Sequence, residues 1–299
     1  MIGNFKDVTE TLRNRFAESP LGKQLEGIDF DDINKLDDRS LAVYAKDIPN
    51  GLCDDNGKQY RTEDGGWIPN NTYVLDGITY KTDDNGNVYN IDGKLQPNTT
   101  YELNGNIYTT DENGRIISCE AKPVRTMENS RDNEAQRQAG GKDRRANDQG
   151  GHIVGRDLNG DGGIGNLIAM DSRINQSDYK RMENDVKAAL DEGREVTTKT
   201  EMTYSGDSER PDKITVAVTV DGIDTVYEYD NNLDGSLDDE VSEKSPSAKA
   251  ILDEHPDAHV SSVKREYDEN GNLVKTTAYI TWTDEDGNNR RSSIIVPNS

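Results

Sequence analysis

Asp148-Gln149-Gly150-Gly151-His152 ends on the one histidine, of three in the chain, that stands outside the C-terminal region. Asn166 follows fourteen residues later, Asn175 nine after that, and Glu183 a further eight. A near-neutral imidazole can take a proton from water at physiological pH. Mg²⁺ prefers oxygen ligands, keeps several waters and needs few protein donors. An imidazole base beside a sparsely liganded hard cation suits phosphodiester hydrolysis. That reaction needs a base for water, positive charge on the developing oxyanion and help for the leaving oxygen. Eight residues of helix place Asn175 and Glu183 about two turns apart on one face. Singly, each has a plainer reading: an Asn at a helix start can be an N-cap, and a helical Glu is ordinarily just solvated.

The elements that must position these residues follow from periodicity. Tyr179, Met182, Val186, Ala189 and Leu190 predict an amphipathic helix ending near Gly193. Strands are expected over 195–204, 213–220 and near 225–229. Upstream, residues 1–50 read as helical, with Phe5, Val8, Leu12 and Phe16 on one face. Over 51–120 the texture changes to tyrosine- and threonine-rich strands broken by Asn-Gly and Asp-Gly, strong hairpin signals. Pro69 to Gly86 realigns with Pro97 to Gly114, 28 residues later, as an internal repeat. These hairpins read as a spacer or presenting module. Residues 121–156 form a locally basic window with Lys122, Arg125, Arg131, Arg137, Lys142, Arg144, Arg145 and Arg156. The tail, 246–299, predicts a short helix over 248–252 and a hairpin turning at Asn270-Gly271.

Bulk properties pull the other way. The 299 residues carry 58 acidic and 35 basic side chains, a net charge of −23, with mean hydropathy −0.95. Such an excess of carboxylates argues against a general nucleic-acid binder, because phosphate contacts need Lys and Arg. It favours solubility or attraction to a basic partner. Hydrophobic content of 31% predicts small, separate cores joined by polar loops. Cys53 and Cys119 have no metal-ligand spacing around them, and their pairing is left open. No apolar run reaches the length of a membrane span, so no membrane anchor is expected. The segment Met1 to Asp7 lacks the basic-then-apolar pattern of a signal peptide.

Asp148 to His152, Asn166-Leu167-Ile168-Ala169-Met170, Asn175, Tyr179 and Glu183 together resemble the DNA/RNA non-specific endonuclease family, whose fold is the ββα-metal (His-Me finger) type. The Tyr204 to Pro211 segment, the tyrosine-rich repeats and the Arg131, Gln136, Gly140 approach resemble its bacterial polymorphic-toxin branch. The resemblance covers roughly 70–230, with its motif core at 148–183. It implies His152 as general base, Asn175 as the direct Mg²⁺ ligand (Mn²⁺ or Ca²⁺ as substitutes), Glu183 as helper through metal-bound water, and Asn166 as brace of the loop between base and metal. Many members read Asp-Arg-Gly-His; here Gln149-Gly150-Gly151 precedes the histidine. A transition-state or nucleic-acid-binding arginine must therefore come from elsewhere, and Arg131, Arg144 and Arg145 are the candidates.

The expected fold class is α+β: a ββα-metal nuclease core with antiparallel sheet, preceded by a small helical region and β-hairpin repeats. Domains are expected at 1–50, 51–120, 121–245 (nuclease) and 246–299 (helix-hairpin extension). The expected function is Mg²⁺-dependent, sequence-tolerant cleavage of DNA and/or RNA by a secreted antibacterial toxin effector. Its partner would be a cognate immunity protein, with the chain cytoplasmic in the producer before delivery by a specialised system. The competing reading is a non-catalytic acidic binding or structural module retaining the fold. Two stretches, Asp157 to Gly162 and Asp230 to Gly235, begin like calcium loops, but position 12 is Ile168 and Val241 instead of Glu. The first reads as the loop between base and metal helix. The second reads as a turn, with a calcium site using Asp238 or Asp239 as the alternative. His255 and His259 read as surface residues.

Overall fold

The computed structural model describes residues 53–62, 65–127 and 130–298. The helical region expected over 1–50 lies outside the described residues. The hairpin repeats form β1 (Thr72–Leu75), β2 (Ile78–Thr82), β3 (Val88–Ile91), β4 (Lys94–Leu95), β5 (Thr100–Leu103), β6 (Asn106–Thr110) and β7 (Ile116–Ala121). Then come α1 (Asn133–Gln138), β8 (Asp148–His152), β9 (Leu167–Asp171), and a π-helical turn (Ile174–Tyr179) that runs into α2 (Lys180–Asp191). The chain continues through β10 (Val196–Thr203), β11 (Lys213–Val220), β12 (Ile223–Asp230), α3 (Asp238–Lys244), α4 (Pro246–Glu254), β13 (His259–Tyr267), β14 (Leu273–Thr283) and β15 (Asn289–Val296). The architecture is α+β, mostly antiparallel sheet with a few helices.

Two turn chemistries build the hairpins. At Asp76-Gly77, Asp92-Gly93, Asn104-Gly105 and Asp221-Gly222 both turn residues have positive φ, the type I′ geometry whose twist matches the flanking strands. Elsewhere an aspartate closes a longer turn by accepting the backbone N–H groups two and four residues on. Asp83 takes Asn85 and Asn87 this way, and Asp111 takes Asn113 and Arg115. Asp268 and Asp284 repeat the device in the C-terminal strands. The turn aspartates also join neighbouring repeats: Asp54 accepts from Val74 N, and Asp83 from Glu102 N.

β1 to β4 form one sheet. β5, β6 and β7 belong to another, nine-stranded sheet of order β15-β14-β13-β12-β11-β10-β7-β6-β5. The β7–β10 pairing carries this sheet across position 121, and β12–β13 carries it across 246. The last repeat is thus built into the sheet behind the β8–α2 segment, which differs from the separate spacer that repetition alone suggests. Tyr89, Tyr101 and Tyr108 stack in series, with ring centroids 4.8 and 5.3 Å apart.

The main core lies between this sheet and the β9–α2 segment, where Ile168, Met170, Ile174, Tyr179, Met182 and Val186 meet Val196, Met202, Ile214, Val216 and Tyr229. A second core packs Leu237, Val241 and Ala248 against Val260, Val263, Ala278 and Ile280. A third, small cluster joins Ala135 and Ala139 to Leu167, so the described residues hold separate cores, in keeping with the low apolar content. Both cysteines are free thiols, Cys119 buried. Among the described residues, no helix is long and apolar enough to cross a membrane.

Candidate active site

β8 and β9 form a two-stranded antiparallel ribbon in which His152 pairs with Leu167 and Gly150 with Ala169. α1, capped by Asp132 accepting from the N–H groups of Glu134 and Ala135, lies against this ribbon. A Cβ on Gly150 would stand 2.8 Å from both Cα and O of Gln136. The absence of a side chain there is what lets helix and strand touch. His152 ends the strand half-buried, and its Nε2 is buried without a hydrogen-bond partner among the described residues. Burial, and then the positive charges of Arg156 and Arg131, push the imidazole down to about 4. At neutral pH it is an uncharged base.

Asn166 braces the loop between the strands. Its Oδ1 accepts from Tyr108 Oη (2.9 Å) and Val154 N (2.9 Å), and its Nδ2 donates to Val154 O (2.8 Å) and Asp161 O (2.7 Å). The side chain is fully buried with its amide saturated, so it acts on the backbone next to His152 and has no free group for a ligand.

Asn175 sits in the π-helical turn. Its Nδ2 donates to Gln149 Oε1 at 2.7 Å, which leaves the carbonyl oxygen Oδ1 as the atom able to ligate a cation. At the end of the same turn Tyr179 Oη donates to Ile153 O at 2.7 Å. The helix start is thus tied to β8 on both sides of the Gly-Gly pair. Glu183, in the first turn of α2, lies beside Gly155, where a Cβ would come within 2.7 Å of Glu183 Oε1. Burial raises its carboxyl to about 7; Lys187 and Lys180 oppose the shift and Asp157 adds to it.

The π turn amends the spacing argument. In a pure α-helix eight residues span 2.2 turns, leaving Asn175 and Glu183 about 80° out of line. The wider i→i+5 turn over Ile174–Tyr179 rotates the chain less per residue and so reduces that offset.

The three arginines singled out by sequence separate. Arg131 is exposed, donates to Gln136 Oε1 and faces His152 closely enough to lower its proton affinity. Arg144 is occupied by three main-chain carbonyls, those of Gln136, Ala139 and Asp148. Arg145 reaches Asn232 O and Oδ1. Arg156, in the basic window but not singled out, stands by His152. Gln149 is a further residue that sequence reasoning missed; its place three positions before His152 was the available signal.

Behind the ribbon, Asp148 forms a buried ion pair with Arg210 (Nε–Oδ2 2.8 Å), the side chains 0% and 3% exposed. Arg210 Nη2 continues to Asn231 O, and Asn231 bonds both Ala169 O and the Asp171 N–H. The 204–211 segment and the 230–235 turn therefore hold the ribbon in place. The carboxylate of Asp230 accepts the N–H groups of Asn232, Leu233, Asp234 and Gly235, as a turn would have it. Asp238 is taken by His259 Nδ1 and Val260 N. His259 is thus paired, and His255 stacks on Trp282 at 4.8 Å.

Among the described residues no three His, Cys, Asp or Glu side chains gather as a metal cage. Asn175 offers an amide oxygen and Glu183 a carboxylate whose ionisation burial disfavours, donor types that suit a hard cation that keeps most of its waters. A nearby cation would relieve that cost.

Residues 97–222 match the family described as DNA/RNA non-specific endonuclease. The type VII secretion system protein EssD of three Staphylococcus aureus strains is 36% identical over 98 residues, 31% of this chain and 16% of each relative. The chain thus corresponds to a small part of those relatives' length. Residues 97–222, which span β5 to β11 and hold His152, Asn166, Asn175 and Glu183, are the part of the chain that is similar to DNA/RNA non-specific endonucleases.

Proposed function

We propose that the chain is a divalent-metal-dependent endonuclease that hydrolyses DNA or RNA phosphodiesters without sequence preference, on a ββα-metal core made of β8, β9 and the Asn175–Glu183 helix. The observation that carries this reading is the neutral His152, its buried Nε2 unpartnered, on the strand whose Gln149 orients Asn175. The neutral imidazole of His152 takes a proton from water as the water oxygen bonds to phosphorus. The bond from phosphorus to the leaving oxygen then breaks, with the electron pair departing on that oxygen. Asn175 Oδ1 and Glu183 would hold the cation, which when bound supplies positive charge to the phosphate and the leaving oxygen. Arg131 faces the same space and suits a non-bridging phosphate oxygen.

The net charge of −23 leaves attraction for phosphate to this local basic surface, so binding should weaken steeply with salt. The likeness to EssD, a type VII secretion system protein, supports a secreted toxin effector paired with an inhibitor in the producing cell. The test is cleavage of plasmid DNA and of RNA by wild type and His152→Ala, with Mg²⁺ or EDTA at low salt. Metal-dependent degradation lost in the variant is expected. Cleavage by the variant at the wild-type rate refutes the mechanism, and inactivity of wild type on both substrates favours the acidic binding module instead.

A further inference from the structure

The helix carrying Asn175 and Glu183 is gripped from its other side by strands lying beyond the matched nuclease segment. Asp178, within the π-helical turn and 5% exposed, is the centre of the grip. Its Oδ2 accepts from Ser261 Oγ (2.7 Å) and Ser262 Oγ (2.9 Å), both on β13, and its Oδ1 pairs with Arg291 on β15. Arg291 also donates to Ser177 Oγ at 2.8 Å. Its guanidinium lies over the Tyr279 ring of β14, 4.3 Å from the centroid.

The same side of the helix is held twice more. Arg181 stands over Tyr279 at 4.6 Å, and Asp185 accepts from Tyr227 Oη (2.8 Å) and Lys264 Nζ (3.0 Å). Residues 178, 181 and 185 follow helical spacing and form one stripe. Asn175, Tyr179 and Glu183 form another, turned toward β8 and Gly155. A buried carboxylate with two hydroxyl donors and an arginine resists displacement, because removing a partner strands a charge. An i→i+5 turn is otherwise a rare conformation, and rare conformations persist where surrounding contacts over-determine them.

We propose that Asp178, with Ser261, Ser262 and Arg291, is a positioning cluster that holds the π-helical turn and so keeps Asn175 and Glu183 in register for a divalent cation. This rests on the assignment of Asn175 as metal ligand. The C-terminal strands are on this account part of the nuclease machinery, although none of them touches the reacting atoms.

The experiment is Mn²⁺ binding to the full chain, followed by EPR of the free ion, with the Mg²⁺ dependence of plasmid cleavage and the melting temperature measured alongside. The variants are Arg291→Ala, Arg291→Lys, the Ser261→Ala/Ser262→Ala pair and Asn175→Ala. Loss of a group bonded directly to a metal ligand weakens affinity about ten- to a hundredfold, and Asp178 and its partners act one step further out, through the turn, which sets that range as the upper bound. Arg291→Ala and the serine pair are expected to weaken Mn²⁺ binding about tenfold, the low end of that range, with the cleavage rate at saturating Mg²⁺ less affected. Arg291→Lys should recover part of the affinity, because an ammonium can still pair with Asp178. If Asn175→Ala weakens Mn²⁺ binding while the serine pair and Arg291→Ala leave it unchanged, whatever they do to the melting temperature, the positioning role falls alone. If Asn175→Ala itself leaves binding unchanged, the metal-ligand assignment falls and the proposal with it. Should Arg291→Ala not fold, the serine pair, which leaves the ion pair intact, decides.

Discussion

Glu183→Gln should stabilise the metal-free protein, and only at the alkaline end. Burial raises the Glu183 carboxyl from 4.5 to about 7, and a tenfold change in proton affinity corresponds to about 1.4 kcal/mol. Keeping this carboxylate ionised in the fold therefore costs up to about 3 kcal/mol, less to the extent that solvent reaches it. For an acid whose folded value lies above its unfolded one, the folded state holds the proton more tightly. Stability accordingly declines as pH rises from about 4.5 to 7 and is level beyond. Glutamine matches the shape without the charge. In EDTA at pH 8 the variant should be more stable by about 1–3 kcal/mol, a melting temperature higher by roughly 2–10 °C. Most of the gain should vanish at pH 5. Adding Mg²⁺ at pH 8 should then raise the wild-type melting temperature more than the variant's, while cleavage by the variant falls. Thermal unfolding at the two pH values decides the matter. A variant no more stable than wild type at pH 8, or equally favoured at pH 5, refutes the account of a desolvated carboxylate awaiting a cation.

His152, held at about 4 by burial and by Arg156 and Arg131, should stay uncharged down to about pH 5; an NMR titration placing its midpoint near 6.5 contradicts this. Arg210→Ala should cost about 3–5 kcal/mol in urea denaturation by stranding the buried Asp148 charge, and a loss under about 1 kcal/mol would show the pair to be incidental. Gly150→Ala should destabilise by about 1–3 kcal/mol through its clash with the Gln136 backbone. It should also slow cleavage at temperatures where the variant is folded, so unaltered kinetics would argue against tight α1 packing as a requirement. Tyr108→Phe removes one of four hydrogen bonds on Asn166 and should cost about 1 kcal/mol, with no measurable change expected only if the hydroxyl faces water.

Much of this protein was readable in order along the chain. Asn-Gly and Asp-Gly announced the hairpins because the left-handed turn they need is a local property of one or two residues. Alternation announced β10 and β11, and the spacing of Met182, Val186 and Ala189 announced α2. The chemistry-bearing residues could be nominated because residue type and spacing limit what a base and a cation ligand can be. α1 and the β8–β9 ribbon were not legible. α1 is six residues long and β8 carries two glycines, so neither has an apolar rhythm, and both are held by partners elsewhere.

By itself the sequence determined that a histidine, an amide and a carboxylate recur at distances suited to phosphodiester cleavage, and that stacked hairpins precede them. Only the tertiary structure decided how those groups are aimed. Gln149 meets Asn175 across 26 residues, Arg210 meets Asp148 across 62, and Ser261 meets Asp178 across 83. It also sorted the arginines, leaving Arg131 beside His152 while Arg144 and Arg145 serve backbone and side-chain carbonyls. It set the π turn that carries Asn175, and laid the last tyrosine hairpin against Asn166 and the C-terminal strands against Asp178. Each of these depends on contacts between segments far apart in sequence, and local propensity carries no record of which distant partner will satisfy a buried polar group.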